Sequence, residues 1–152
     1  MKLQQTAALP DRQQAPRLQS AAFVYEVTAD GQKRVLLVTT RRTRQWSIPK
    51  GKACPHLSLA ENAAKEAFEE AGVRGEIGNI SVGVYRASKH VGFAETVIEV
   101  WVYPMRATEH AEEYPEKGQR EVKWVSCREA ERLLREPVLI DLCTKLRRGD
   151  LQ

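Results

Sequence analysis

Apolar positions along this chain switch between two repeats, and each switch marks an element. Leu18 to Val27 is a run rich in apolar, β-branched and aromatic residues, ending at Asp30-Gly31, a pair suited to a hairpin turn; it is a predicted strand. Arg34 to Thr40 (Arg-Val-Leu-Leu-Val-Thr-Thr) has an unbroken apolar centre, which predicts a second strand buried on both faces. Trp46-Ser47-Ile48-Pro49 is a short extended piece. Beyond Pro49 a loop runs to Ser58, and the period then changes. Leu59, Ala63, Ala67 and Ala71 recur at i+4, with Ala60, Ala64 and Phe68 as the row beside them, so a helix with one apolar face is predicted. Ser58 followed by Glu61 makes a capping box at its start, and Gly72 suits the left-handed position at its end.

After Gly72 the strand pattern returns. Gly75 to Arg86 is weakly patterned, with Gly78 and Gly83 placed for bends or bulges, and Lys89-His90-Val91-Gly92 reads as a turn. Thr96 to Met105 is the strongest strand of the chain. A mainly acidic loop holding Glu109, Glu112, Glu113 and Glu116 leads to a last strand, Arg120 to Val125. Ser126 caps a helix from Cys127 to Arg135, and another runs from Pro137 to Leu146. Strands, a helix, more strands and terminal helices make an α/β or α+β layered domain. Residues 1–17, rich in Gln, Ala and Pro without a period, read as a loose arm, and 18–148 as one domain.

Composition narrows the function classes only a little. A length of 152 residues fits one domain with a real core, and a net charge of +4 suits an anionic partner but equally serves solubility. No apolar run is long enough for a membrane span, and the N-terminus lacks a signal-peptide core, so a cytoplasmic location is expected. Cys54, Cys127 and Cys143 are scattered, with neither zinc-site spacing nor a disulfide framework; unpaired thiols are the expectation.

The acids of the central helix are badly placed for an ordinary helix. Glu66, Glu69 and Glu70 are spaced i, i+3, i+4 and cluster on one side. Glu66 and Glu70 fall at the border of the apolar face, and Glu69 and Glu70 lie in the last turn, where the helix dipole disfavours negative charge. Crowding, partial burial and an adverse dipole would all be relieved by a divalent cation such as Mg²⁺, which takes a few carboxylates and keeps other sites for water and phosphate oxygens.

The stretch from Gly51 to Val73 resembles the Nudix box, G-x5-E-x7-R-E-U-x-E-E-x-G-U with U a bulky apolar residue. It matches at Gly51, Glu66, Glu69, Glu70, Gly72 and Val73. It departs where Leu57 replaces Glu, Lys65 replaces Arg, and Ala67 is small for its position. Loss of Glu at 57 together with Arg at 65 suggests a supporting polar pair changed as a unit, because Lys offers no planar fork. The resemblance implies a mixed sheet between helices, a pyrophosphohydrolase, and Mg²⁺ (or Mn²⁺ in its place) on Glu66, Glu69 and Glu70 with the Gly51 carbonyl. The ion would polarise a phosphoryl oxygen and lower the pKa of an attacking water. The general base stays open between those glutamates and a loop acid such as Glu116.

Three further segments, Gln45 to Gly51, Lys89-His90 and Gly118 to Trp124, resemble the diphosphoinositol polyphosphate phosphohydrolases, which also cleave dinucleoside polyphosphates. An anionic polyphosphate is therefore the expected substrate. Arg41, Arg42, Arg44, Lys50, Lys52, Lys89 and His90, all expected on loops near the box, are its candidate contacts. His56 and His110 read as surface residues, and Trp46 and Trp124 as core or groove walls. Two other readings remain: a non-catalytic nucleotide-binding module, which would not need all three acids, and a 5′-end RNA pyrophosphohydrolase, for which no RNA-binding signature is visible. Oligomeric state is left open.

Overall fold

The computed structural model describes residues 16–151. The expected arm lies outside the described residues except for Pro16 and Arg17, and Arg17 already begins the first strand. The elements are β1 (Arg17–Val27), β2 (Lys33–Thr39), β3 (Trp46–Ser47), β4 (Lys50–Lys52), α1 (Leu59–Ala71), β5 (Val73–Ile77), β6 (Gly83–Val91), β7 (Ala94–His110), β8 (Val122–Ser126), α2 (Cys127–Leu133) and α3 (Pro137–Arg148).

The strands form one mixed sheet whose spine runs β3-β2-β1-β7-β5, with β4 on β1, β6 on β7 and β8 on β2. Only β1 and β7 run parallel; the other pairings are antiparallel. The alternation of side chains along each strand divides the interior into two cores. Ala21, Phe23, Val35, Leu37, Val100 and Val102 face α2 and α3, where they meet Ala130, Leu139, Leu142 and Leu146. Ala22, Val24, Leu36, Val38 and Met105 face the other way, onto Ala60, Ala63, Ala67 and Ala71 of α1. The expected layered α+β architecture, a mixed sheet between helices, is the one present.

Several boundaries differ from the expectation. The weakly patterned stretch after Gly72 is two strands, β5 and β6, and its bulge falls between Arg74 and Gly75 rather than at Gly78 or Gly83. A Cβ at Gly75 would lie 2.0 Å from the Arg106 carbonyl oxygen, so this bulge admits only glycine without a shift. Lys89, His90 and Val91 are still strand, because each pairs across to β7; the turn is at Gly92 and Phe93. Strand β7 is long because it changes partners. It pairs with β6 over Ala94–Val102 and with β5 over Met105–His110, and Pro104, with no N–H to donate, falls at the changeover. Phe68 is only half-buried and carries the Arg74 guanidinium 3.8 Å above its ring, so it does not join the alanine face. The three cysteines are unpaired. No helix among the described residues is long and apolar enough to cross a membrane.

Candidate functional site

Helix α1 is fixed at both ends. The Ser58 Oγ accepts from Glu61 N at 3.0 Å, and Ser58 N donates to Glu61 Oε1 at 2.8 Å, the expected capping box. Gly72 takes the left-handed conformation (φ 71°) and its N–H meets the Ala67 and Phe68 carbonyls. The Tyr114 ring also packs where a Cβ of Gly72 would stand, so this glycine is needed both for its φ and for the close approach.

On the side of α1 facing β4, Asn62, Glu66 and Glu70 form a stripe at i, i+4, i+8, and all are buried. β4 itself was not visible in the sequence; its short Lys-Gly-Lys run pairs antiparallel with β1, Ser20 opposite Gly51. That pairing presses Gly51 against α1. A Cβ at position 51 would lie 2.3 Å from Glu66 Cδ, so the carboxyl group occupies the space that glycine leaves free. The Gly51 carbonyl lies 3.5 Å from Asn62 Nδ2 and so already has a neighbour within the fold.

Each acid meets a cation of the protein itself. Lys65 Nζ lies 3.3 Å from both Glu66 Oε2 and Glu69 Oε2. Arg120 Nη2 lies 3.5 Å from Glu70 Oε2 and 3.2 Å from Glu116 Oε1, and Arg120 Nη1 donates to the Thr39 carbonyl at 3.1 Å. The acidic loop is thus tied to the helix, and Glu116 N donates to the Glu69 carbonyl at 2.9 Å. Sequence reading missed Arg120, because its only signal was an arginine beside acids in a stretch read as strand. Burial pushes the Glu70 carboxyl up to about 8; Arg120 opposes this, Glu66 and Glu116 add to it, and Lys50 opposes it more weakly. Burial also lowers the pKa of Lys50, against the pull of Glu70 and with the help of Arg120 and Lys89. Lys50, Glu70, Arg120 and Lys89 therefore share one electrostatic neighbourhood.

The donor set suits a hard divalent cation: carboxylates only, two of them buried, one seated in a cradle that a Cβ would fill. Among the described residues, however, no three acidic, histidine or cysteine side chains converge as a ready-made metal cluster. Lys65 and Arg120 hold these carboxylates, each of which keeps further lone pairs for a cation.

Beside Lys50 opens a cleft of about 540 Å³, lined by Arg44, Trp46, Ser47, Tyr85, Leu133, Arg135 and Leu139 among others. The basic candidates divide around it. Lys50 and Arg44 line it. Lys89 lies on β6 at an even spacing from Tyr85 and Ala87, which line it, and so shares their face. His90 projects from the opposite face and pairs with Glu95 at 3.7 Å, so the structure does not bring it to the cleft. Arg41 is engaged with Gln119 Oε1 at 3.1 Å, and Arg44 also donates to the Gln119 carbonyl at 3.0 Å. Arg42 and Lys52 are exposed. Arg135 is a cleft residue that sequence reading passed over, because it was assigned to a helix end.

Comparison with known proteins agrees with this fold. The NUDIX domain family model matches residues 17–142. The chain is 30% identical over 105 residues to Nudix hydrolase 12, mitochondrial, of Arabidopsis thaliana, covering 66% of this chain and 52% of that protein. It is 28% identical over 128 residues to diphosphoinositol polyphosphate phosphohydrolase 2 of Rattus norvegicus, covering 80% and 66%. Its fold superposes on a C. elegans Ap4A hydrolase binary complex with a TM-score of 0.63 at 17% identity, covering 88% of this chain and 96% of that one. The chain spans about half the length of the plant relatives it matches. With a family match across most of the chain, the protein belongs to the Nudix family.

Proposed function

We propose that the protein is a divalent-cation-dependent pyrophosphohydrolase acting on a polyphosphorylated small molecule, with a dinucleoside polyphosphate as its preferred substrate. The observation that carries the reading is the position of Lys50, which lines the cleft and stands next in the chain to Gly51, the residue packed against the Glu66 carboxyl group. A substrate phosphate chain can therefore run from the cleft to the acid helix past one cation. Glu66, Glu69 and Glu70, with the Gly51 carbonyl, would hold Mg²⁺ or Mn²⁺. Such an ion, when bound, supplies charge stabilisation at a phosphoryl oxygen and a more acidic water. Arg44, Lys50 and Lys89 neutralise the phosphate chain, and Arg120 holds Glu70 and Glu116 in register. Glu116, tied to α1 through the Glu69 carbonyl, would be the acid from outside the helix that takes the proton of the attacking water.

The walls of the cleft favour the dinucleoside reading over the diphosphoinositol one. Trp46, Tyr85, Leu133 and Leu139 give it aromatic and aliphatic walls, which suit a planar base better than an inositol ring bearing charge on every side. The test is a Mg²⁺-dependent turnover screen over dinucleoside polyphosphates, diphosphoinositol polyphosphates, nucleoside triphosphates, ADP-ribose and triphosphorylated RNA. Highest kcat/KM on a dinucleoside polyphosphate is expected. Preference for the inositol substrates would overturn the class assignment, and no turnover at all would leave a binding module. Lys89→Ala should raise KM more for the polyphosphate than for ADP-ribose, since the lost contact is to a remote charge.

A further inference from the structure

Asn62 is out of place on chemical grounds. It sits inside a helix, wholly buried, one turn before Glu66 on the same stripe. Its Nδ2 donates to the Oγ of Ser20 at 2.9 Å, itself wholly buried on β1, and lies 3.5 Å from the Gly51 carbonyl. The nitrogen end of the amide suits this neighbour, because a carbonyl can only accept. The other end is left bare. Among the described residues Asn62 Oδ1 is buried with no hydrogen-bond partner. A bare buried acceptor is costly, and native folds almost always supply a donor.

Two groups of α1 thus converge on one glycine: the Asn62 amide at its carbonyl and the Glu66 carboxyl at its Cα. We propose that Asn62 is a positioning residue of the cation site. Its nitrogen fastens β4 to α1 so that Gly51 cradles Glu66, and its free Oδ1 accepts a hydrogen bond from a water carried by the bound divalent cation. The orphaned oxygen is then completed by the ligand. Outer partners of this kind orient the groups that touch the metal, and removing them commonly weakens metal affinity by roughly 10–100-fold. This inference rests on the cation-dependent reading above.

The experiment uses the full chain with Mn²⁺ as probe, read by electron paramagnetic resonance titration and by thermal unfolding in EDTA and in Mn²⁺, with no turnover needed. Asn62→Ala, a good helix former, should fold and bind Mn²⁺ about 10-fold or more weakly. Asn62→Asp keeps an oxygen acceptor and adds a buried charge. It should melt below wild type in EDTA yet show a larger Mn²⁺-induced rise in Tm than wild type, because a nearby cation offsets the added charge. If Asn62→Asp fails to fold in EDTA, the Asn62→Ala titration decides alone. Wild-type Mn²⁺ affinity in Asn62→Ala, with equal loss of Tm in both conditions, would make Asn62 a structural strut around an enclosed water and overturn the proposal. Wild type that binds no Mn²⁺ would instead overturn the cation-dependent reading, and this inference with it.

Discussion

Helix α1 buries two faces of opposite chemistry. On one, Ala60, Ala63, Ala67 and Ala71 lie against Ala22, Val24, Leu36 and Val38 of the sheet. On the other, Asn62, Glu66 and Glu70 are just as inaccessible but face β4. The alanine face has a purely physical reason: small side chains let the helix approach the sheet closely and lose almost no rotamer freedom. The acid stripe has none of this kind. Burying carboxylates opposes folding, and the internal cations Lys65 and Arg120 offset that only in part. Where burial and apolarity coincide, the helix serves the fold; where they part, the proposed cation site gives the burial a use. Changes on the two faces should therefore separate into losses of chemistry and losses of stability.

The largest break is expected at Glu70. Glu70→Gln keeps the shape and removes the charge, and hydrolysis should fall by a factor of roughly 10² or more if the carboxylate is needed for the cation or a proton. Metal-free stability should behave in the opposite sense. The carboxyl goes from an ordinary 4.5 to about 8 on folding, so the folded state holds its proton more tightly. Stability from this group is present below about 4.5 and is lost as pH rises toward 8. Denaturant titrations in EDTA between pH 5 and pH 9 should show wild type losing stability over that window and Glu70→Gln losing less. A variant destabilised equally at every pH and still fully active would make Glu70 structural.

Gly51→Ala comes next. The new methyl would meet the Glu66 carboxyl group, the far end of a flexible side chain, rather than backbone. The fold should survive within about 1 kcal/mol, while kcat falls about 10-fold or more because Glu66 must swing out. Measuring Tm and kcat together checks this; an unchanged kcat would show that the cradle is not used. On the other face, Ala63→Leu should do the reverse. It forces extra methylenes into a wholly buried contact and should cost about 1–3 kcal/mol in urea unfolding. The folded fraction should keep its KM.

The alanine face was legible in the sequence because its i+4 repeat is one-dimensional information, and so were the capping box and the left-handed Gly72. The acids were legible as a spacing, but what surrounds them was not. β4 is a three-residue strand of lysines and glycine, with no strand propensity of its own; it exists because β1 offers an edge to it. Arg120 reaches Glu70 from fifty positions further along the chain, a closure that only the sheet topology brings about. His90 was grouped with Lys89 because neighbours in a loop can share a target. In a strand they cannot, since successive side chains leave opposite faces. Asn62 went unnoticed since a lone polar residue in a helix is ordinary until it is seen to be buried.

The smallest effect should come from the place where the family pattern is broken. Lys65 is 42% exposed and bridges Glu66 and Glu69 at 3.3 Å. Ion pairs this open are worth about 0–1 kcal/mol, so Lys65→Met should barely move the Tm. A planar guanidinium could grip a carboxylate with two parallel bonds, which an ammonium cannot, but it needs that carboxylate. Leu57, half-buried just before the N-cap, stands where the family places it. Leu57→Glu alone adds an unpartnered acid, and Lys65→Arg alone adds a fork still engaged with Glu66 and Glu69. Made together, they should restore the pair with a favourable coupling of about 0.5–1 kcal/mol in a double-mutant cycle on kcat/KM or on Mg²⁺-bound stability. Additivity within about 0.3 kcal/mol would show that the two positions are energetically independent.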